Sequence, residues 1–353
     1  MHQIRQARFL TAALLAVALA ACSSDEDPGE EHGDPESIAL VSAFATVSAV
    51  AGERFQRDIA VAAAVGGTAT FTVGYGHEVA ADERVFGPFA VASVSGAAAP
   101  VTISFRGAVG SQPFSCTASY NNVGTTASTI QPLDFKMYVS NLRLLTATGA
   151  EVPVALTQDG AWQLDDIALV DFEDQTGTCT NGTPQVRTVV QGTAPAGVYA
   201  GVKFVLGVPF ARNHADATTA PSPLNLTSMF WSWNGGYKFL RADFRSTGLT
   251  GGFNIHLGST GCNGASGTTP PTSCVASNRA EYTLALDPAS DVIVADLATL
   301  IASTNVDVNL PASAPGCMSG PTDTDCTGIF ANLSLPFGSN PAGAQNFFRT
   351  EPE

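Results

Sequence analysis

After Pro100 the chain is interrupted every few residues by Gly, Pro, Asn or Asp, and what lies between the interruptions is of strand length: "VTISFRGAVG", "DFKMYVSNLRLLTATG", "EVPVALTQDG", "AGVYAGVKFVLGVPF", "GYKFLRADFR", "GGFNIHLGS" and "AEYTLALDP". Several of these runs alternate polar with apolar residues, the period of a strand that covers one face. No long helical pattern separates them, so a parallel sheet has nothing from which to build its crossovers. The pattern predicts an all-β fold, an antiparallel β-sandwich with disulfide-stapled loops and at most one or two short helices. "VIVADLATLIAST", Val292 to Thr304, is the one stretch suited to a helix, with Asp296 near its start. Residues 101–353 are expected to form this domain. Residues 37–100, rich in Ala, Val and Gly, read as a small additional β-rich region of no assigned role.

The N-terminus speaks to the compartment. Arg5 and Arg8 precede the apolar run "FLTAALLAVALAA", which is too short to span a bilayer and ends in small residues, as a secretory signal does. Leu19, Ala20, Ala21 and Cys22 resemble the lipoprotein box of bacteria. Residues 1–21 are therefore expected to be a lipoprotein signal peptide, with Cys22 the lipidated first residue of the mature chain. Residues 22–36 are acidic and lack large apolar groups, so they read as a disordered tether. The anchor implies the envelope of a Gram-negative-type bacterium, with the protein facing the periplasm or cell surface. Ser23 after the cysteine leans toward the outer membrane.

Loss of Arg5 and Arg8 takes the formal charge from −15 to −17, which argues against a nucleic-acid partner. Seven cysteines less Cys22 leave an even number in an oxidising compartment, the arithmetic of a disulfide framework. Sequence alone leaves the pairing open. Proximity favours Cys262 with Cys274 and Cys317 with Cys326, which leaves Cys116 with Cys179. A thiolate zinc site is the rival reading, weakened by the lack of any CxxC pair.

Of five histidines, His2 lies in the leader and His32 in the tether, so a histidine site must draw on His77, His214 and His256. No Gly-x-Ser-x-Gly, HExxH, phosphate loop or dinucleotide fingerprint is present, and nothing marks a nucleophile for a set built on His214 and Asp216. The chain therefore does not read as an enzyme. His214 lies in the loop "VPFARNHADATTAPSPLNL" and His256 in the strand "FNIHL"; each alone reads as polar surface or a hydrogen-bonded strand residue. Between them stands "MFWSWNGGYKF", which holds two of the three tryptophans. A spacing of two puts Met229, Trp231 and Trp233 on one strand face, with Asn234, Gly235 and Gly236 turning the chain after them. Met229 offers a soft sulfur there, although a core filler is the plainer reading.

The blocks "DFKMYVSNLRLL", "DGAWQLDDIALVDFE", "AGVYAGVKFVLGVPFARNHAD", "SPLNLTSMFWSWNGGYKFLRADF", "FNIHLGSTGC", "PGCMSGPTDTDC" and "NFFRTE" together resemble the MbnP-like copper-binding family, the four-Cys member of the "metallo-mystery pair". The resemblance implies copper as cofactor, and as partner a MauG-like di-haem peroxidase that oxidises a tryptophan to kynurenine. It also implies a metal site built from His214, His256 and one residue of the Trp231–Trp233 pair. Asn213, Asp216 and Asn254 are near enough in sequence to orient the imidazoles. The alternative is a metal-free envelope lipoprotein that binds a carbohydrate or protein partner, its two tryptophans packed or stacked on the ligand.

Overall fold

A computed structural model describes residues 97–353 apart from 181, 233–234 and 265–269, together with four strands nearer the N-terminus. Cys22 and the acidic tether lie outside the described residues. Two compact units are present, residues 1–98 with 195–198 and residues 99–194 with 199–353. In the first, Arg54–Ala62 pairs antiparallel with Thr68–Glu78, and Leu10–Thr11 with Thr46–Val47. His77 falls on Thr68–Glu78, but its side chain lies outside the described residues.

The second unit holds two large sheets and two small two-stranded ones. One large sheet runs in the order Ala155–Leu156, Val189–Pro195, Ala98–Val109, Asp291–Asp296, Phe348–Pro352, with Gln112–Pro113 on Ala98–Val109. The other is organised around the 18-residue strand Ser128–Leu145. Ile167–Asp171 and Gly201–Leu206 pair with that strand, as does Leu240–Ser246, which passes the sheet on to Phe253–Leu257 and Gly316–Cys317. The two sheets meet through aromatic side chains. Phe105 and Phe348 of the first pack edge-on against Phe204 of the second, at centroid distances of 5.9 and 5.2 Å, and Tyr282 packs on Phe348 at 4.8 Å. Edge-to-face contact of buried rings adds to the area they withdraw from water, and this layer is the core of the sandwich.

The structure departs from the expected purely antiparallel pairing. Asp291–Asp296 runs parallel to Ala98–Val109, and Gly316–Cys317 parallel to Phe253–Leu257. Both partners are far apart in sequence, and a long connection lets a strand enter in either direction. Val292–Thr304 is also only partly helical: Val292, Ile293 and Val294 stay in a strand, as β-branched residues favour, and Asp296 then accepts a hydrogen bond from Ala298 N at 2.8 Å to cap the turn Leu297–Leu300. With Phe210–Asn213 and Thr327–Asn332 this makes three short helices among the described residues, one more than expected. Cys116–Cys179, Cys262–Cys274 and Cys317–Cys326 are bonded, the pairing that proximity favoured; a thiolate zinc site is thereby excluded for these residues.

Candidate metal centre

The face of the larger sheet turned away from the sandwich core carries a row of charged side chains. In register across four strands stand Asp171, Lys136, Arg241 and His256, and Asp134 lies directly opposite Asp243. On an open sheet face such a row would be solvated, but here the segment 209–239 lies against Tyr138 and Arg241, and Glu173 with the loop that follows it closes over Lys136. Tyr138 Oη donates to Pro223 O at 2.8 Å and ties that segment to the sheet, while the bonds from Tyr237 Oη to Leu224 O at 2.6 Å and from Lys238 Nζ to Ser228 O at 2.7 Å hold it together internally. Lys136 is thus only 1 % exposed. Its Nζ lies 2.7 Å from Glu173 Oε1 and 3.4 Å from both Asp134 Oδ1 and Asp171 Oδ2. Arg241 continues the row, with Nη1 3.1 Å from Asp134 Oδ2 and Nε 2.8 Å from Asp243 Oδ2.

Four carboxylates share two fixed cations, and burial makes the shortfall costly. Desolvation pushes Asp134 up to about 6 and Asp171 up to about 7, against the pull of Lys136. Asp243 behaves differently. Burial alone would raise its carboxyl, but the hydrogen bond with His256 and the Arg241 guanidinium outweigh burial and hold it below the usual range.

His256 ends the row. Its Nε2 lies 2.8 Å from Asp243 Oδ1, and an ionised carboxylate only accepts, so Nε2 carries the proton. That fixes the tautomer and leaves the Nδ1 lone pair unprotonated. Nδ1 is buried and meets no hydrogen-bond partner among the described residues. Burial also lowers the imidazole's pKa, with Asp243 opposing, so the ring is neutral at pH 7. A neutral imidazole held from behind by a carboxylate, its other nitrogen unsatisfied, is the form in which histidine binds metals.

Trp231 lies beside the imidazole, its ring centroid 6.4 Å from that of His256 at an interplanar angle of 52°. It sits in the short strand Phe230–Ser232, which pairs with Gly236–Tyr237 across the expected turn; Gly236 takes φ +72° there. The indole is seated on glycine. A Cβ at Gly258 would come within 2.4 Å of Trp231 Cζ3 and 2.9 Å of Tyr237 O. Gly258→Ala is therefore expected to displace the indole from beside His256, seen as a shift in tryptophan fluorescence. An unchanged spectrum would mean that the seat is not tight. The proposed stripe is shorter than the spacing suggested. Met229 closes the 3-10 turn Thr227–Met229 and is fully buried, so it is core, and Trp233 lies outside the described residues.

His214 follows the helix Phe210–Asn213 and is buried rather than being loop surface. Its neighbour Asn213 pins the loop in place. Asn213 Oδ1 accepts from Tyr237 N at 2.9 Å, and Nδ2 lies 3.2 Å from Ser259 Oγ and 3.1 Å from His214 Nε2. Asn213 thus touches the imidazole as expected, while tying the loop both to the tryptophan hairpin and to the continuation of the His256 strand. Asp216 Oδ1 accepts from Thr218 N at 2.9 Å and Thr218 Oγ1 at 2.8 Å in a local turn. Asn254 is not the group that orients His256; that is Asp243, which faces Asn254 across the strand pair. His214 Nε2 also lies 3.4 Å from Cys274 Sγ. His214, Cys262 and Cys274 bring donor atoms within 4.8 Å of one another, but the sulfurs are joined as a disulfide and offer no thiolate.

Cys262, Trp231, Ser259, Met318 and Pro321 line one cleft. No histidine is among the residues that line it; His214 touches the disulfide through Cys274 Sγ, and His256 neighbours the Trp231 indole. Sequence reasoning missed Asp243, Arg241, Lys136 and Gly258. The alternation in "DFKMY" and "LRADF" places their charges on one face, but nothing local says that the face is covered.

The model of the MbnP family matches residues 98–319. The chain belongs to the MbnP family. Among solved structures it is similar to MbnP from Methylosinus trichosporium, at 30% identity and a TM-score of 0.66 over 72% of this chain and 99% of that one. No curated protein matches it. The family match takes in His214, Trp231, Trp233 and His256, and leaves residues 1–97 and 320–353 outside it, so Cys326 and the closing "NFFRTE" lie beyond the match.

Proposed function

We propose that this MbnP-family protein is a lipid-anchored copper-binding protein of the cell envelope. His214 and His256 supply imidazole donors. A kynurenine, formed from Trp231 or Trp233 by a MauG-like di-haem partner, completes the set. The observation that carries the reading is the buried, unsatisfied Nδ1 of His256, with Asp243 holding the opposite nitrogen and Trp231 alongside. Neutral imidazoles suit copper, which stands at the top of the divalent affinity order, and a weaker third donor is tolerated. In this reading the protein is the substrate of its partner's oxidation and not itself a catalyst, and Cys22 carries the lipid.

The test is metal analysis and peptide mass mapping of protein purified from copper-supplemented cells that also make the haem partner. Stoichiometric copper is expected. One peptide should have lost a carbon and gained an oxygen at Trp231 or Trp233, with Trp162 unchanged. Protein from its native envelope with no copper and both tryptophans intact would overturn the reading in favour of the metal-free lipoprotein.

A further inference from the structure

Three disulfides staple the described residues of the second unit, and their surroundings differ. Cys116, Cys179, Cys317 and Cys326 are each at most 2 % exposed. Cys262 and Cys274 are half-buried. Their bond joins directly opposed residues of Thr260–Cys262 and Cys274–Ala276, a two-stranded ribbon that pairs with neither large sheet. Val275 on this ribbon is 92 % exposed, and no ribbon residue belongs to the hydrophobic core. A two-stranded ribbon is marginal by itself, so the bond is a main tie across it. The two sulfurs also differ. Cys262 lines the cleft with Trp231 and Met318, whereas Cys274 does not, and its Sγ lies 3.4 Å from His214 Nε2. A thiolate exchanges with a disulfide only where it can reach one of the sulfurs, and exposed bonds are the labile ones.

We propose that Cys262–Cys274 is an exchangeable disulfide, opened by a dithiol that enters the cleft and attacks Cys262. The attacking thiolate bonds to Cys262 Sγ, the bond to Cys274 breaks, and Cys274 leaves as a thiolate and takes up a proton. The second thiol of the reagent then attacks the reagent's own sulfur in the mixed disulfide and releases Cys262. The dithiol is oxidised to a disulfide, the cystine is reduced by two electrons, and the two thiol protons of the reagent end on Cys262 and Cys274. What opens is the ribbon beside His214, while the two buried bonds keep the sandwich stapled. Exchange needs no metal and does not rest on the copper reading.

The test treats the folded full-length protein with dithiothreitol, alkylates it with iodoacetamide and maps the peptides by mass. Alkylation is expected at Cys262 and Cys274, with Cys116–Cys179 and Cys317–Cys326 still bonded and the far-ultraviolet circular dichroism of the sandwich retained. Reduced glutathione, a single thiol, reads the direction of attack: after an acid quench its adduct should sit on Cys262, with Cys274 free. Cys262 and Cys274 left unalkylated while the fold persists, or all the bonds opening together, would overturn the exchange. Glutathione found on Cys274 would overturn entry through the cleft.

Discussion

Lys136→Met is expected to destabilise the sandwich by about 3–5 kcal/mol at pH 7, the cost of leaving buried charges without their partner. Asp134, Asp171 and Glu173 are fully buried around its ammonium, and Arg241 reaches Asp134 but neither of the other two. The effect should depend on pH, with a definite sign. A carboxyl whose folded pKa lies above its unfolded value holds its proton more tightly when folded. Its contribution to stability is present at low pH and is lost as the pH rises through the folded value. For Asp134 and Asp171 that loss runs from the ordinary carboxyl range up to about 6 and about 7. Removing Lys136 takes away the charge that favours their ionised forms, so the penalty should be largest at pH 7 and above and should shrink at pH 5, where both can be protonated. Urea denaturation of wild type and variant at the two pH values reads this directly. A variant as stable as wild type at pH 7, or a penalty that does not narrow at pH 5, would show that the row is hydrated and not truly buried.

That row also shows where sequence reading stops. Period-two alternation gave the strands, and proximity gave the disulfides, because both depend on neighbours along the chain. The face shared by Lys136, Arg241 and His256 could be inferred for each strand separately, but a charged face next to turn residues reads as solvated. Its burial depends on register across four strands, on a cover from the segment 209–239 at one end and on Glu173 with the loop that follows it at the other. The same cover accounts for His214, whose loop looked like surface until Asn213 fastened it to Tyr237 and Ser259. It also accounts for Met229: the 3-10 turn that brings the cover down onto the sheet removes Met229 from the tryptophan stripe. The helix expected within Val292–Thr304 is present but confined to Leu297–Leu300 for a local reason, since β-branched residues kept the strand going until the capping Asp296 ended it.

His256→Ala is expected to abolish copper binding, and Asp243→Asn to weaken it by about 10–100-fold, the usual range for losing the group behind a metal-bound histidine. The two substitutions act on opposite ends of one hydrogen bond. Alanine removes the donor nitrogen and also leaves the Asp243 carboxylate with Arg241 as its remaining close partner, so some stability is lost with the metal: the histidine is 6 % exposed and is no surface residue. Asparagine keeps the ring and nearly the same volume but changes what the ring is told. Its amide can rotate to donate to Nε2, and the imidazole then carries its proton on Nδ1, the nitrogen that must be bare to bind a metal. Nitrogen-15 spectra of the imidazole distinguish the tautomers without any metal present, and copper competition gives the affinity. Nδ1 protonated in Asp243→Asn together with weakened copper binding is the expected pair of results. If the tautomer changes while copper binds as tightly as before, Nδ1 of His256 is not a donor, and the carboxylate behind it serves the buried charge row alone.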